Sequence, residues 1–308
     1  MATAPMVVNL ETPGEDLARK TVFVKLHLGV LGNSRKVSSA QVEVDADKKL
    51  IRVSKTLLDS AELQAIHRLD GELRRYLYNM CLPFEPGIHL LPIGLIETVD
   101  AKVHEFEAKR EELVETFLAA YPRLCEEAGG RLRTLYNPLD YPPVEEVRSE
   151  FTCSWQYVSY GVPHQLREVS DRMFQDEREK AAERMAEAYT EVRQVLREAM
   201  AELVAHMRDR LTDQADGTPH RLRESTVQKL REFLDTFDFR NVTNDQELKE
   251  QVELARALLT GTTTDAMRNM AELRSRVRQG MGEIADRLGT MVSDRVGRKF
   301  RFAPRGEA

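Results

Sequence analysis

Residues 163–213 read PHQLREVSDRMFQDEREKAAERMAEAYTEVRQVLREAMAELVAHMRDRLTD. After Pro163 the stretch holds neither proline nor glycine, and Glu, Arg, Ala, Met and Leu dominate it. These are strong helix formers. Met185, Ala188, Val192, Val195, Ala199, Leu203 and His206 recur at steps of three and four, which places them on one helical face. A helix of roughly 50 residues would be about 75 Å long. An isolated amphipathic helix gains little stability without packing, so this stripe demands a partner surface.

The partner is expected further along the chain. Met267, Met270, Leu273, Val277, Met281, Ile284, Leu288 and Met291 trace a second stripe over a helix predicted for 264–297. Two shorter helices, near 222–237 and 245–260, would return the chain so that the two long helices lie against each other. Asn244 or Thr243 is the expected cap of the second short helix. The methionines read as core rather than as an adaptable binding groove.

The first half is mixed. Residues 1–20, with Pro5, Pro13 and Gly14, read as a flexible leader. Val22, Val24, Leu26 and Leu28 then alternate with Phe23, Lys25 and His27, the period of a strand. Residues 41–53 place two short β-like runs around Asp45-Ala46-Asp47-Lys48-Lys49, a predicted hairpin. Ser60 is a candidate N-cap for a helix carrying Leu63, Ile66, Leu69, Leu73, Leu77 and Met80, which should stop before Pro83. A further helix is expected over about 95–119. Gly129-Gly130 and Asn137-Pro138-Leu139-Asp140-Tyr141-Pro142-Pro143 mark turns. Phe151, Cys153, Trp155 and Tyr157 alternate like a strand that rejoins the first sheet. The expected architecture is mainly α: long antiparallel amphipathic helices, bundle-like or coiled-coil-like, with a small N-terminal antiparallel sheet. Its parts are the leader 1–20, an α+β domain over 21–162, a long-helix bundle over 163–297 and a basic tail over 298–308.

Bulk properties exclude several classes. Hydrophobic residues make up 42% of the 308, enough for a sizeable core. A net charge of −6 argues against a general polyanion binder, so nucleic-acid contact would need a local patch. Cys81, Cys125 and Cys153 form no CxxC pair, which argues against a thiolate zinc site and a disulfide framework. The first twenty residues lack the layout of a signal peptide. No stretch approaches the roughly 18 apolar residues of a membrane span. The expected location is cytoplasmic.

Chemistry-bearing motifs are missing. There is no GxxxxGK[ST] phosphate loop, no GxGxxG and no GxSxG elbow. His104-Glu105-Phe106-Glu107 begins like a zinc-protease helix, but Ala108 stands where the second histidine ligand belongs. The reading is therefore non-enzymatic, with no cofactor.

Three features stand above this background. Glu179, Glu183, Glu187 and Glu191 recur every four residues, and like charges at that spacing repel. They form either an acidic rail for a basic partner or, more plainly, a solvated face paired with arginines such as Arg274 and Arg278. The C-terminal stretch interleaves Arg295, Arg298, Lys299, Phe300, Arg301, Phe302 and Arg305, a pattern that suits phosphate contact and base stacking or docking on an acidic protein surface. Its plain reading is a cationic helix end. Gly87 to Ile96 is apolar but broken by Pro92 and Gly94: a buried crossover or, if exposed, a membrane-touching patch.

Four pieces together carry a family resemblance: Leu50-Ile51-Arg52-Val53-Ser54-Lys55, Pro86 to Glu97, Asn137-Pro138-Leu139-Asp140-Tyr141-Pro142, and Arg240-Asn241-Val242-Thr243-Asn244-Asp245. With them the chain resembles an uncharacterised bacterial and phage family, a domain of unknown function carried on phages and mobile elements. Its members are often encoded near a MoxR-type AAA+ ATPase and a von Willebrand A-domain protein. The resemblance implies an accessory or client role in a chelatase-like remodelling system and supplies no functional residues. The resulting expectation is a helical assembly or adaptor protein, acting as a homo-oligomer or within a protein complex. Nucleic-acid binding through the basic tail and membrane activity through residues 88–96 stand as its alternatives.

Overall fold

Ser170 decides where the long helix starts. Its backbone is extended (φ −163°, ψ 118°) and its Oγ accepts the Met173 amide at 3.4 Å. An extended residue whose side chain satisfies a first-turn amide is an N-cap, so the 163–213 stretch is two helices rather than one. The computed structural model of the chain describes residues 13–38, 47, 50–213, 218 and 220–292. In chain order its elements are α1 (Pro13–Lys20), β1 (Thr21–Leu28), β2 (Ser34–Val37), β3 (Val53–Thr56), α2 (Ala61–Met80), β4 (Leu82–Glu85), β5 (Ile88–Pro92), α3 (Ile96–Leu132), α4 (Val144–Glu150), β6 (Cys153–Val158), α5 (Gln165–Val169), α6 (Asp171–Leu211), α7 (Glu224–Arg240), α8 (Gln246–Leu259), α9 (Thr264–Asn269) and α10 (Ala271–Met291). The fold is mainly helical with a small antiparallel sheet, as the sequence predicts. The described residues fall into two units, one drawn from both ends of the chain and split at Thr21 and Gly161, the other spanning Val22–Tyr160.

In the helical unit, α6 and α10 pack antiparallel. Arg274, near the start of α10, donates to the Leu211 carbonyl at the end of α6. Arg197, midway along α6, donates to the Met291 carbonyl at the other end of α10. The α10 side of this contact is Val277, Met281, Ile284 and Leu288, all buried. On α6 the buried set is Phe174 and then Met185, Ala188, Val192, Leu196, Met200, Val204, Met207 and Leu211. Beyond Val192 this differs by one position from the expected Val195, Ala199, Leu203 and His206. A strict four-three alternation repeats every 3.5 residues, whereas a straight helix turns every 3.6 and drifts off that repeat. The second long helix is also divided: Met270 breaks it (φ −109°, ψ 103°) and is exposed. Asp245, not Asn244 or Thr243, caps α8 by accepting the Leu248 amide.

The reading of 1–20 as a leader is corrected over its last residues. Helix α1 packs on α6 so closely that a Cβ at Gly14 would lie 2.9 Å from that of Met185. Leu17 is fully buried, and Lys20 Nζ reaches the Val242 carbonyl.

In the second unit, α2 and α3 pack together beside a sheet of order β4-β5-β1-β6. Ser60 caps α2 as expected, accepting the Leu63 amide at 3.1 Å. β1 and β6 run antiparallel from Phe23↔Val158 to Leu28↔Cys153, the pairing expected of the strand around Trp155. Val24, Leu73, Leu77, Leu91, Leu95, Val99 and Val103 form one cluster of the core; Ile66, Phe117, Leu118, Tyr121, Leu124 and Val147 belong to another. Helix α3 is much longer than 95–119. It runs through Pro122 and takes in Gly129 and Gly130, which therefore do not mark a turn. Ser34–Val37 (β2) pairs with Val53–Thr56 (β3) as a separate two-stranded sheet; of the hairpin expected over 41–53, residues 41–46, 48 and 49 lie outside the described residues. The stretch 87–96 forms β5 of the β4–β5 hairpin and the turn into α3. Leu90, Leu91 and Leu95 are buried, and Ile93 is half exposed.

Candidate interaction site

Two of the sequence pieces that carry the resemblance meet in space. Lys55 Nζ lies 2.6 Å from Asp140 Oδ2, in a pair that is largely buried. Lys55 also donates to the Leu135 carbonyl, and Arg35 stands 4.0 Å from the same carboxylate. Asp140 belongs to a tight 3-10 turn, Pro138–Asp140, which Asn137 caps by accepting the Leu139 amide at 3.1 Å. Tyr141 closes the turn from the other side. Its hydroxyl donates to the Leu57 carbonyl at 3.1 Å and its ring stacks on Tyr136 at 5.0 Å. Tyr121, from α3, donates to the Pro142 carbonyl. Upstream, Arg133 ends α3 with φ at +48°, a backbone region that disfavours any residue with a Cβ.

All of these bonds hold in place a turn whose apex, Leu139, is 91% exposed. Isolated exposed leucines are common on protein surfaces. This one differs in being fixed: an ion pair, a cap, two tyrosine hydroxyls and a ring stack restrict the residues on either side. Burial pushes the Tyr141 phenol up to about 12, so its hydroxyl stays a donor across the physiological range. Burial also pushes up the Cys125 thiol, and the Cys153 thiol to about 11, where neighbouring Glu107 adds to the effect. Neither sits in the electropositive setting that activates a cysteine.

The helical unit has a second polar cluster. Asp245 is fully buried; Arg197 binds it through two nitrogens at 2.6 and 2.9 Å, and Arg193 approaches to 3.3 Å. Burial alone would raise the Asp245 carboxyl, but the bonds from Arg197 and Arg193 and the Leu248 amide outweigh it and hold the group below its usual range. Glu247 extends the network outward through Arg197 at 2.8 Å. A cleft of about 270 Å³ beside it is lined by Arg197, Glu247, Gln251 and Arg287. Tyr189 donates to the Thr243 carbonyl and Asn241 accepts the Asp245 amide. The Arg240–Asp245 piece is thus the junction that fixes α7, α8 and α6 to one another.

Of the acidic rail, Glu179, Glu183 and Glu187 are exposed and Glu191 is partly buried. Compensation comes from within the same helix: Arg184 lies 3.5 Å from Glu187 and 3.8 Å from Glu191. Arg274, proposed for that task, instead bonds the carbonyls of Arg210, Leu211 and His220. Burial raises the Glu191 carboxyl despite Arg184. Arg295, Arg298, Lys299, Phe300, Arg301, Phe302 and Arg305 lie outside the described residues. Among the described residues no cluster of three or more His, Cys, Asp or Glu could hold a metal ion. No helix among them is long and apolar enough to cross a membrane.

A family model described as "Protein of unknown function (DUF3150)" matches residues 19–278, reaching from α1 into α10. The chain belongs to that family. Comparisons with curated proteins and with solved structures return no match. Every contact of the Asn137 turn, and the side chains of Arg193, Arg197, Asp245 and Glu247, fall inside the span that this DUF3150 family model covers, whereas Arg287 and Met291 beside them lie past it. Sequence reading marked 137–143 as a turn but not its apex. The available signal was Asn-Pro-Leu-Asp, a capping residue and a proline that together make a turn and leave one apolar side chain with no helical or strand period to place it.

Proposed function

We propose that this chain is a non-enzymatic adaptor or assembly protein of a phage or mobile-element system, working in the cytoplasm through protein–protein contacts with an AAA+ ATPase of the MoxR type. The observation that carries this reading is the Asn137–Pro142 turn. A leucine held out on a preorganised turn loses little conformational freedom when it enters a pocket, and preorganisation of this kind is how a small contact becomes an energetic anchor. Arg35 beside the turn would add orientation through charge. The pairing of two resemblance-carrying pieces at Lys55–Asp140 supports the same reading, because it puts their chemistry into holding this surface rather than into a catalytic constellation.

Mixing the purified chain with a MoxR-type ATPase from the same genome, followed by sedimentation or calorimetry, tests the proposal. A complex is expected, and Leu139→Asp should weaken it by about tenfold or more while leaving the circular-dichroism spectrum unchanged. No complex with the ATPase or its von Willebrand A-domain companion, or a complex indifferent to Leu139→Asp, would overturn it.

A further inference from the structure

Glycine is the residue that the end of α3 calls for, and arginine is the residue it has. Arg133 ends α3 with φ +48° and ψ −113°, the angles of the first central position of a type II′ turn, which glycine dominates. Such strain persists where something else requires the side chain, and it gathers at ligand contacts. Packing does not require this one. Arg133 is exposed, and among the described residues its guanidinium has no hydrogen bond or ion pair. Its backbone serves the Asn137 turn instead: the Arg133 carbonyl accepts the Tyr136 amide, and the Tyr136 ring stacks on Tyr141.

Arg35 reaches the same turn from β2, where it stands opposite Lys55 in the ladder. Its Nη1 donates to the Gly32 and Ser34 carbonyls at 3.0 and 3.1 Å, and its Nε lies 4.0 Å from Asp140. Nη2 has no hydrogen-bond partner among the described residues, so a fixed guanidinium keeps one nitrogen open. Asp140 does not neutralise it, because Lys55 at 2.6 Å is the closer cation. Two arginine charges thus stand at the turn without a carboxylate of their own, on a chain whose net charge is −6. The next carboxylates along the chain, Glu145 and Glu146, follow Pro142 and Pro143 in the first turn of α4.

We infer that the surface received at this turn is acidic: a patch of the ATPase that sets carboxylates beside an apolar pocket. Leu139 fills the pocket, and Arg35 and Arg133 meet the carboxylates. The inference rests on the adaptor reading and adds the chemistry of the partner. Arginine matches carboxylate and phosphate alike through paired N–H bonds. The exposed leucine beside the arginines favours a protein, because a nucleic-acid backbone offers it no apolar pocket. Charges at the margin of a contact act mainly on association rate and salt dependence, which is where these two arginines should be felt.

Calorimetry of the full chain with a MoxR-type ATPase from the same genome, at about 50 and 300 mM salt, tests this. The wild-type complex should weaken at the higher salt. At the lower salt Arg133→Gly should weaken it about two- to fivefold while raising the denaturant midpoint of the chain, opposite effects that a loss of structure cannot produce. Arg133→Glu with Arg35→Gln should weaken it about tenfold, and all three chains should converge at the higher salt. Glu145→Gln with Glu146→Gln should leave the complex as tight or tighter. A complex that responds to Leu139→Asp yet ignores salt and the arginine variants overturns this inference and leaves the adaptor reading standing; no complex at all removes both. Weakening by the Glu145 and Glu146 variant would mean a basic partner, and a short DNA duplex that displaces the ATPase would mean that phosphate is the ligand. Either result overturns the inference.

Discussion

Each unit buries an arginine–aspartate pair that ties a long helix to its neighbour, and the two pairs are built differently. In the sheet-containing unit, Arg110 of α3 meets Asp70 of α2 at 2.8 Å, both side chains are almost fully buried, and Arg110 spends another nitrogen on the Gly29 carbonyl. In the helical unit, Arg197 meets a fully buried Asp245, but the network continues through Arg193 to the half-exposed margin and through Glu247 to solvent. The first pair has no route to water; the second does. Burying a charge is expensive and removing its partner strands it, so the sealed pair should respond more sharply than the vented one.

Five variants can break or sharpen that contrast. Asp70→Ala should lower unfolding free energy by about 3–5 kcal/mol in a denaturant titration, because it leaves Arg110 unpaired in the core. Asp70→Leu combined with Arg110→Met should recover most of that loss. Asp245→Asn keeps the cap on α8 and removes only the charge, so about 2 kcal/mol is expected. Its signature is pH dependence. The folded Asp245 carboxyl is held below the ordinary value of 3.8, so its stabilisation is present above that value and is lost as pH falls through the folded one. Wild type and Asp245→Asn should therefore converge in stability below about pH 4; a constant gap would mean that the charge is not what matters. Arg133→Gly should stabilise the sheet-containing unit by about 1 kcal/mol by relieving its positive φ. The helical unit places Gly261 and Asn244 at its own such positions, and asparagine tolerates the left-handed region better than arginine does, so a smaller gain is expected there. Glu247→Gln should change stability by less than about 0.5 kcal/mol, since an exposed ion pair contributes little.

The contrast also explains what the sequence disclosed. Period is local, so the Ser60 cap, the strand around Trp155 and the existence of two amphipathic stripes were legible, though the first stripe slips by one position beyond Val192 and Met270 of the second is exposed. Breaks without proline or glycine were not: Ser170 and Met270 are extended where helices meet, and although serine is a favoured N-cap, methionine is a good helix former. Gly129-Gly130 misled for the opposite reason. Packing of α3 against its neighbours keeps those glycines helical, at a cost of roughly 1 kcal/mol each relative to alanine. The polar clusters were invisible, because Arg197 and Asp245 are 48 positions apart and Lys55 and Asp140 further still. The rail of glutamates was visible as a pattern, but its compensation through Arg184 depended on side-chain reach along the same helix.

The helical unit takes α1 from one side of the sheet-containing unit and everything from α5 onward from the other. During synthesis α1 therefore leaves the ribosome long before α6 exists to receive it. The intervening unit can fold in that interval, and its β1–β6 ladder sets Phe23 beside Val158, so a loop of well over a hundred residues is closed before α1 must find Met185. By the logarithmic dependence of closure entropy on length, that spares the search on the order of 1–2 kcal/mol. The inserted unit is thus a clasp for the chain that encloses it.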